Sequence, residues 1–126
     1  MAKTKHSENR RRLPENRFGL TRRVDACGFT FYLTINFFDD HEPAEVFIVI
    51  AKQGSTVSGF IDALAVTLSI ALQYNTPWKI LIGKYLNQVF EPRDDENSSL
   101  IHAIGINMES MIELWQLANK ESEVSH

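Results

Sequence analysis

Cysteine is almost absent from this chain: Cys27 is the one thiol among 126 residues. One thiol excludes an internal disulfide framework and any multi-cysteine zinc site. It also excludes an internal redox pair, which needs two sulfurs at disulfide distance. Long apolar runs are lacking as well, since none reaches the roughly 18 residues that span a bilayer. The basic N-terminus is not followed by an apolar h-region of roughly 7–15 residues, so no secretory signal is expected. The histidines are His6, His41, His102 and His126, and no two stand at metal-ligand spacing. Neither Gly-x-x-x-x-Gly-Lys-Ser/Thr nor Gly-x-Ser-x-Gly occurs, which removes the Walker phosphate loop and the nucleophile elbow. The expectation is a cytoplasmic protein with no membrane association.

What is present suits one folded domain. The apolar content of 44% is ordinary for a soluble globular chain. Charge, in contrast, is unevenly placed. Residues 1–23 hold eight Lys/Arg against Glu8 and Glu15, a net +6, and the overall charge of −3 leaves −9 for the remainder. A basic arm on an acidic body speaks to partners rather than to fold. The expected organisation is a mobile basic tail over 1–12, one domain over 13–118, and a frayed tail over 119–126.

Within the domain, alternation from Thr21 to Ala26 reads as a strand that Gly28 interrupts. The segment Phe29–Phe38 is rich in aromatic and β-branched residues. Phe29, Phe31, Leu33, Ile35 and Phe37 share one face, and Thr30, Tyr32, Thr34 and Asn36 the other. Asp39-Asp40-His41-Glu42-Pro43 reads as a hairpin turn into a strand over Glu45–Ala51, with antiparallel pairing. That strand is apolar throughout, which predicts cover on both faces. A helix over Thr56–Tyr74 follows, with Ser55 as N-cap and Val57, Phe60, Ile61, Leu64, Leu68 and Leu72 at helical spacing. Ala63, Val66 and Ile70 widen its apolar surface, predicting burial on more than one side. Thr76 as cap and Pro77 at the first position restart a helix bearing Trp78, Leu81, Ile82, Tyr85 and Leu86. A last amphipathic helix covers Asn107–Leu117. The fold class is α+β: an antiparallel sheet of three to four strands packed on a long buried helix, with two shorter helices.

Several features have chemistry to offer. Lys52-Gln53-Gly54-Ser55-Thr56 joins a strand to a helix start, where backbone N–H groups, two hydroxyls and a lysine can hold an anion. A plain strand-to-helix turn accounts for the same residues. Arg10-Arg11-Arg12 and Arg22-Arg23 can meet phosphates, dock on an acidic surface, or simply solubilise the arm. Phe90 with Arg93 can clamp a base, or Phe90 can be core. Tyr32, Thr34 and Asn36 on one sheet face suit base stacking or a subunit interface. Asp39, Asp40 and Glu42 can surround a hard cation, although a solvated turn explains them. The same holds for Asp94-Asp95-Glu96.

One resemblance covers most of the chain. Leu13-Pro14 with Arg17 and Thr21, Phe31–Ile35, Ala44–Ile48, Ala51–Thr56, Leu68–Tyr74 and Phe90-Glu91-Pro92 occur in the order and spacing of the TSCPD domain. That domain lies near the C-terminus of adenosylcobalamin (vitamin B12)-dependent ribonucleotide reductases. The Thr-Ser-Cys-Pro-Asp motif that names the family is missing here. Asn75 stands where the family commonly has glycine, and Arg93-Asp94-Asp95-Glu96 replaces its small glycine-containing turn. The resemblance implies a stand-alone domain related to an enzyme that handles nucleotides by cysteine thiyl chemistry. With one cysteine the chain cannot perform that chemistry alone, and no catalytic residue or metal ligand is assigned.

The resulting expectation is a non-catalytic accessory or regulatory module for deoxyribonucleotide metabolism. It would bind a reductase subunit or a nucleotide. Adenosylcobalamin would belong to the partner reductase, with no cofactor in this chain. The alternative is a free-standing oligomeric nucleotide-binding or sequestering protein. For either, the candidate nucleotide or anion residues are Lys52, Gly54, Ser55, Thr56, Arg17, Arg22, Arg23, Phe90 and Arg93. A homo-oligomer is expected. Nucleic acid is the weaker partner expectation, because the body is acidic.

Overall fold

The computed structural model describes residues 9–124. Three strands, β1 (Phe18–Ala26), β2 (Phe29–Phe37) and β3 (Pro43–Ile50), are followed by helices α1 (Ser55–Gln73), α2 (Trp78–Leu86) and α3 (Leu100–Val124). The sheet is antiparallel in the order β1-β2-β3. The α+β expectation therefore holds, with three strands in the sheet.

Strand alternation sorts the sheet into two unlike faces. Phe31, Leu33, Ile35 and Phe37 of β2 are buried, as are Val24 and Ala26 of β1 and Ala44, Val46, Ile48 and Ile50 of β3. All lie on the helix side, because side chains two apart share a face. Across this face packs α3, whose Ala103, Ile104, Met108, Met111 and Ile112 are fully buried. Trp115 stacks its ring on Phe37 at 4.7 Å between centroids. Gly105 lets α2 approach, since a Cβ there would stand 2.8 Å from the Cβ of Tyr85.

A different task falls to α1, which closes the free edge of β3. The Ser69 hydroxyl accepts from the Val46 N–H at 2.8 Å, and the Val46 carbonyl lies 3.2 Å from the same oxygen. Gln73 donates to the Ala44 carbonyl at 3.0 Å. Polar groups that an edge strand leaves open are thus satisfied by helix side chains. Ile61, Ala65, Leu68 and Leu72 meanwhile enter the core from the side. By length and hydropathy α1 could cross a membrane, but its buried stripe and these two polar contacts tie it to the sheet.

Five expectations need correction. The helix at α1 is not buried on more than one side: Phe60 is 73% exposed and Val66 58%. A helix at a sheet edge has one neighbour, so its outward apolar residues stay in solvent. For the same reason β3 is not covered on both faces, and Phe47 and Val49 are exposed. Ser55 is the first helical residue rather than the cap; Gly54 occupies that position in extended backbone and no side chain caps the end. Likewise Pro77, not Thr76, is the N-cap of α2. The longest helix is α3, which starts at Leu100 rather than Asn107. Ser99, fully buried, accepts from the His102 N–H and donates to the Gln88 carbonyl, which makes it the cap.

The termini also differ from a simple pair of tails. Arg11 donates its N–H to the Gln73 carbonyl at 2.9 Å, and the Arg10 side chain donates to Gln73 Oε1 at 2.5 Å. This part of the arm lies against the body. Residues 1–8, the rest of the expected tail, are outside the described residues. At the other end the helix continues through the segment expected to fray, up to Val124.

Candidate functional site

The nine residues singled out from the sequence do not form one site. Lys52 sits in the turn after β3 with a left-handed backbone, φ 56°. It shares a shallow hollow with Arg23, Thr30 and Tyr32 on the open face of the sheet. Arg23 lies 3.7 Å from Asp25 in an exposed ion pair. Gly54, Ser55 and Thr56 are exposed and take no part in that hollow. A Cβ at Gly54 would meet nothing within 4 Å, so no close approach requires glycine there.

The remaining candidates are scattered further. Arg22 is on the helix side of β1, donating to Asn107 and Ser110 of α3 at 3.2 and 3.1 Å. It bridges sheet to helix, which removes it from any site with Arg23. Arg93 pairs with Glu91 at 3.0 Å rather than stacking on Phe90, which is exposed. Arg17 donates two hydrogen bonds to the carboxylate of Glu45, which in turn accepts from Asn36. Glu45 is buried, so the guanidinium and the amide satisfy a carboxylate that would otherwise be costly to desolvate.

Cys27 is buried in the β1–β2 turn. Burial, and then the nearby Asp94 carboxylate, push its thiol pKa up, away from the reactive thiolate. Its backbone N–H donates to Asp94 at 2.8 Å, and Asp94 also accepts from the N–H groups of Glu96 and Asn97. Those bonds, the Cys27 N–H first, pull the Asp94 carboxyl from 3.8 to about 2. Thus the Arg93–Glu96 segment, read from sequence as a solvated loop, is clamped to the β1–β2 turn by one carboxylate. Among the described residues no group of three His, Cys, Asp or Glu side chains is arranged to hold a metal ion.

A cluster that the nine residues mostly miss stands where the arm crosses the body. Arg10, Arg11, Arg12 and Arg17 line a hollow of about 370 Å³ with Leu13 and Gln73. Arg11 also borders a cavity of about 230 Å³ walled by Phe38, Pro43, Leu72, Pro77 and Trp78, with Glu42, Asn75 and Thr76 at its margin. Its guanidinium lies 3.8 Å above the Phe38 ring and 3.3 Å from Asp40. Asn75, which lines this cavity, takes the left-handed conformation, φ 68°, at the turn between α1 and α2. From sequence the arginine run was visible. That it would meet Phe38 and Trp78, 27 and more residues away, was not.

A third feature is apolar. Between β3 and α1 runs a groove of about 430 Å³ that includes Phe47, Val49, Val66 and Ile70, all exposed. Arg10 and Asp62 stand on its rim.

A β1-β2-β3 meander with its edge closed by a helix, carrying the sequence series from Leu13 to Pro92, defines a domain class that comparison with known proteins identifies. The TSCPD domain family model matches residues 4–112, and the chain belongs to that family. Its relatives include the vitamin B12-dependent ribonucleotide reductase of Rhodopirellula baltica, 38% identical over 87 residues, 69% of this chain and 8% of that protein. The protein of the same name from Streptomyces clavuligerus is 36% identical over 102 residues, 79% of this chain and 11% of its own length. That from Streptantibioticus cattleyicolor is 40% identical over 83 residues, 66% of this chain and 14% of its own length. The chain therefore spans only about a tenth of the relatives it matches. No solved structure matches.

Proposed function

We propose that the chain is a non-catalytic accessory or regulatory module of a B12-dependent ribonucleotide reductase system, acting by binding a reductase polypeptide. The observation that carries this reading is the bare groove of Phe47, Val49, Val66 and Ile70 between β3 and α1. Apolar residues clustered in one exposed groove mark an interaction surface. In each named relative this domain is a small part of a much longer polypeptide. A face left uncovered by the domain's own helices is then the place for the rest of such a polypeptide to rest. Cys27, the one thiol, is buried and raised in pKa, which supports a non-catalytic reading. Adenosylcobalamin, in this reading, stays with the partner.

The test is a co-purification of the chain with a B12-dependent ribonucleotide reductase such as that of Rhodopirellula baltica, with reductase turnover followed alongside. Binding that Phe47→Asp or Val66→Asp weakens at least tenfold supports the proposal. No binding and no change in turnover would sink it. Self-association lost in those same variants would give the groove to a second copy of the chain instead.

Nucleotide binding is the second reading. It is favoured by the arginines beside the Phe38 and Trp78 cavity rather than by the Lys52–Thr56 turn.

A further inference from the structure

We infer that the arm, the β2–β3 turn and the α1–α2 joint form a site for a nucleoside di- or triphosphate, with phosphates on Arg10 and Arg12 and the base in the cavity beside Phe38 and Trp78. This assignment rests on the nucleotide reading above and specifies its location, which differs from the turn at Lys52–Thr56.

Charge is the first part of the argument. Of the four arginines around the larger hollow, Arg11 is opposed by Asp40 and Arg17 by Glu45. Arg10 is held by the neutral Gln73 amide, and among the described residues neither Arg10 nor Arg12 has a carboxylate partner. Two guanidinium forks without counter-charge, on an otherwise acidic body, favour an anion with several oxygens. Phosphate matches the planar fork bidentately.

Shape and continuity are the second part. Arg11 borders both hollows, which places them side by side. The smaller cavity has an apolar and aromatic wall with a few polar groups, Glu42, Asn75 and Thr76, at its edge. That composition suits a flat heteroaromatic ring, stacked by the wall and hydrogen-bonded at its margin. Together the two hollows reach the roughly 300–1,000 Å³ of small-ligand sites.

Preorganisation is the third. The arm is pinned by the Arg11 N–H to Gln73, and Gln73 is itself buried and bonded to Ala44 on β3. The Arg11 guanidinium further lies 3.8 Å from the Phe38 ring centroid. The site is therefore largely formed before a ligand arrives, and its cost in ordering is small.

Calorimetry of the full chain at low ionic strength, with ATP, GTP, CTP, UTP and inorganic tripolyphosphate, tests the assignment. Tryptophan emission is read in parallel, because Trp78 lines the cavity while Trp115 is stacked on Phe37. At least one nucleoside triphosphate should bind more tightly than tripolyphosphate, quench emission, and weaken with added salt. Arg12→Ala, a change at a side chain that is exposed and has no carboxylate partner among the described residues, should weaken binding about tenfold. Trp78→Phe should remove the quenching. Nucleotide binding that Arg10→Ala and Arg12→Ala leave unchanged would overturn this location while leaving the nucleotide reading in place. Tripolyphosphate binding as tightly as every nucleotide would overturn the base cavity. No binding by any nucleotide would overturn both the location and the reading.

Discussion

The two faces of the sheet have similar backbones and unlike fates. On one, Leu33, Ile35 and Phe31 have no solvent exposure beneath α3. On the other, Tyr32, Phe47 and Val49 are exposed, and the polar neighbours Thr21 and Thr34 bond each other at 2.8 Å. The difference teaches that a single layer of helices serves both cover and edge closure. Because α1 lies along β3 rather than on the second face, no helix covers that face among the described residues, and only its Glu45 end is buried, under Arg17. Burial is concentrated on one side, and the exposed apolar residues are left to the other.

The largest expected effect would confirm or break that division. Leu33→Ala should cost about 2–5 kcal/mol in urea unfolding, as truncations at full burial do. Phe47→Ala, 51% exposed on the opposite face, should stay within about 0.5 kcal/mol. Comparable losses at both positions would mean that the open face is covered in the free protein.

An intermediate effect concerns the closed edge. Ser69→Ala leaves the Val46 N–H without its acceptor and should cost about 1–3 kcal/mol. Faster hydrogen exchange should be localised at Val46. A variant as stable as the parent would show that the edge is held by apolar contact alone.

The smallest effect sharpens the comparison at the turn end of the sheet. The Asp94 carboxyl is lowered to about 2 from 3.8, so its stabilising contribution is full above the ordinary value and is lost as pH falls through the lowered one. Asp94→Asn should therefore melt at a lower temperature at neutral pH. The gap to the parent should close between about pH 4 and pH 2. A gap independent of pH would assign the clamp to geometry rather than to charge.

Much of the architecture could be read in advance because it rests on local periodicity. The alternation of Phe31, Leu33, Ile35 and Phe37 placed β2 and its inward face, and Asp39–Pro43 placed the turn. Met108, Met111, Ile112 and Trp115 marked the face of the last helix. Its first two turns were missed, although Ser99 ahead of Leu100, Ala103 and Ile104 carries a cap and the start of a helical stripe. Gly105 breaks that stripe by eye, yet it is there for the approach of Tyr85. Of the candidate site, the arginine run was legible as charge. Its neighbours Phe38, Trp78 and Gln73 were not, because each comes from a different element.

By itself the sequence determined the family, the order of elements, the inward residues of β1 and β2 and, through one cysteine, the exclusion of an internal redox pair. Those are properties of spacing and composition, set within short windows of chain. Tertiary structure decided where the apolar surplus is left. The outward residues of β3 and α1 carry the same hydrophobic pattern as buried ones, and only the position of α1 at the sheet edge, held by Ser69 and Gln73, leaves them in solvent. It likewise decided which charges remain without a carboxylate, because pairing depends on what the fold brings within a few ångströms. Among the described residues Arg11 and Arg17 found carboxylates, and Arg10 and Arg12 did not.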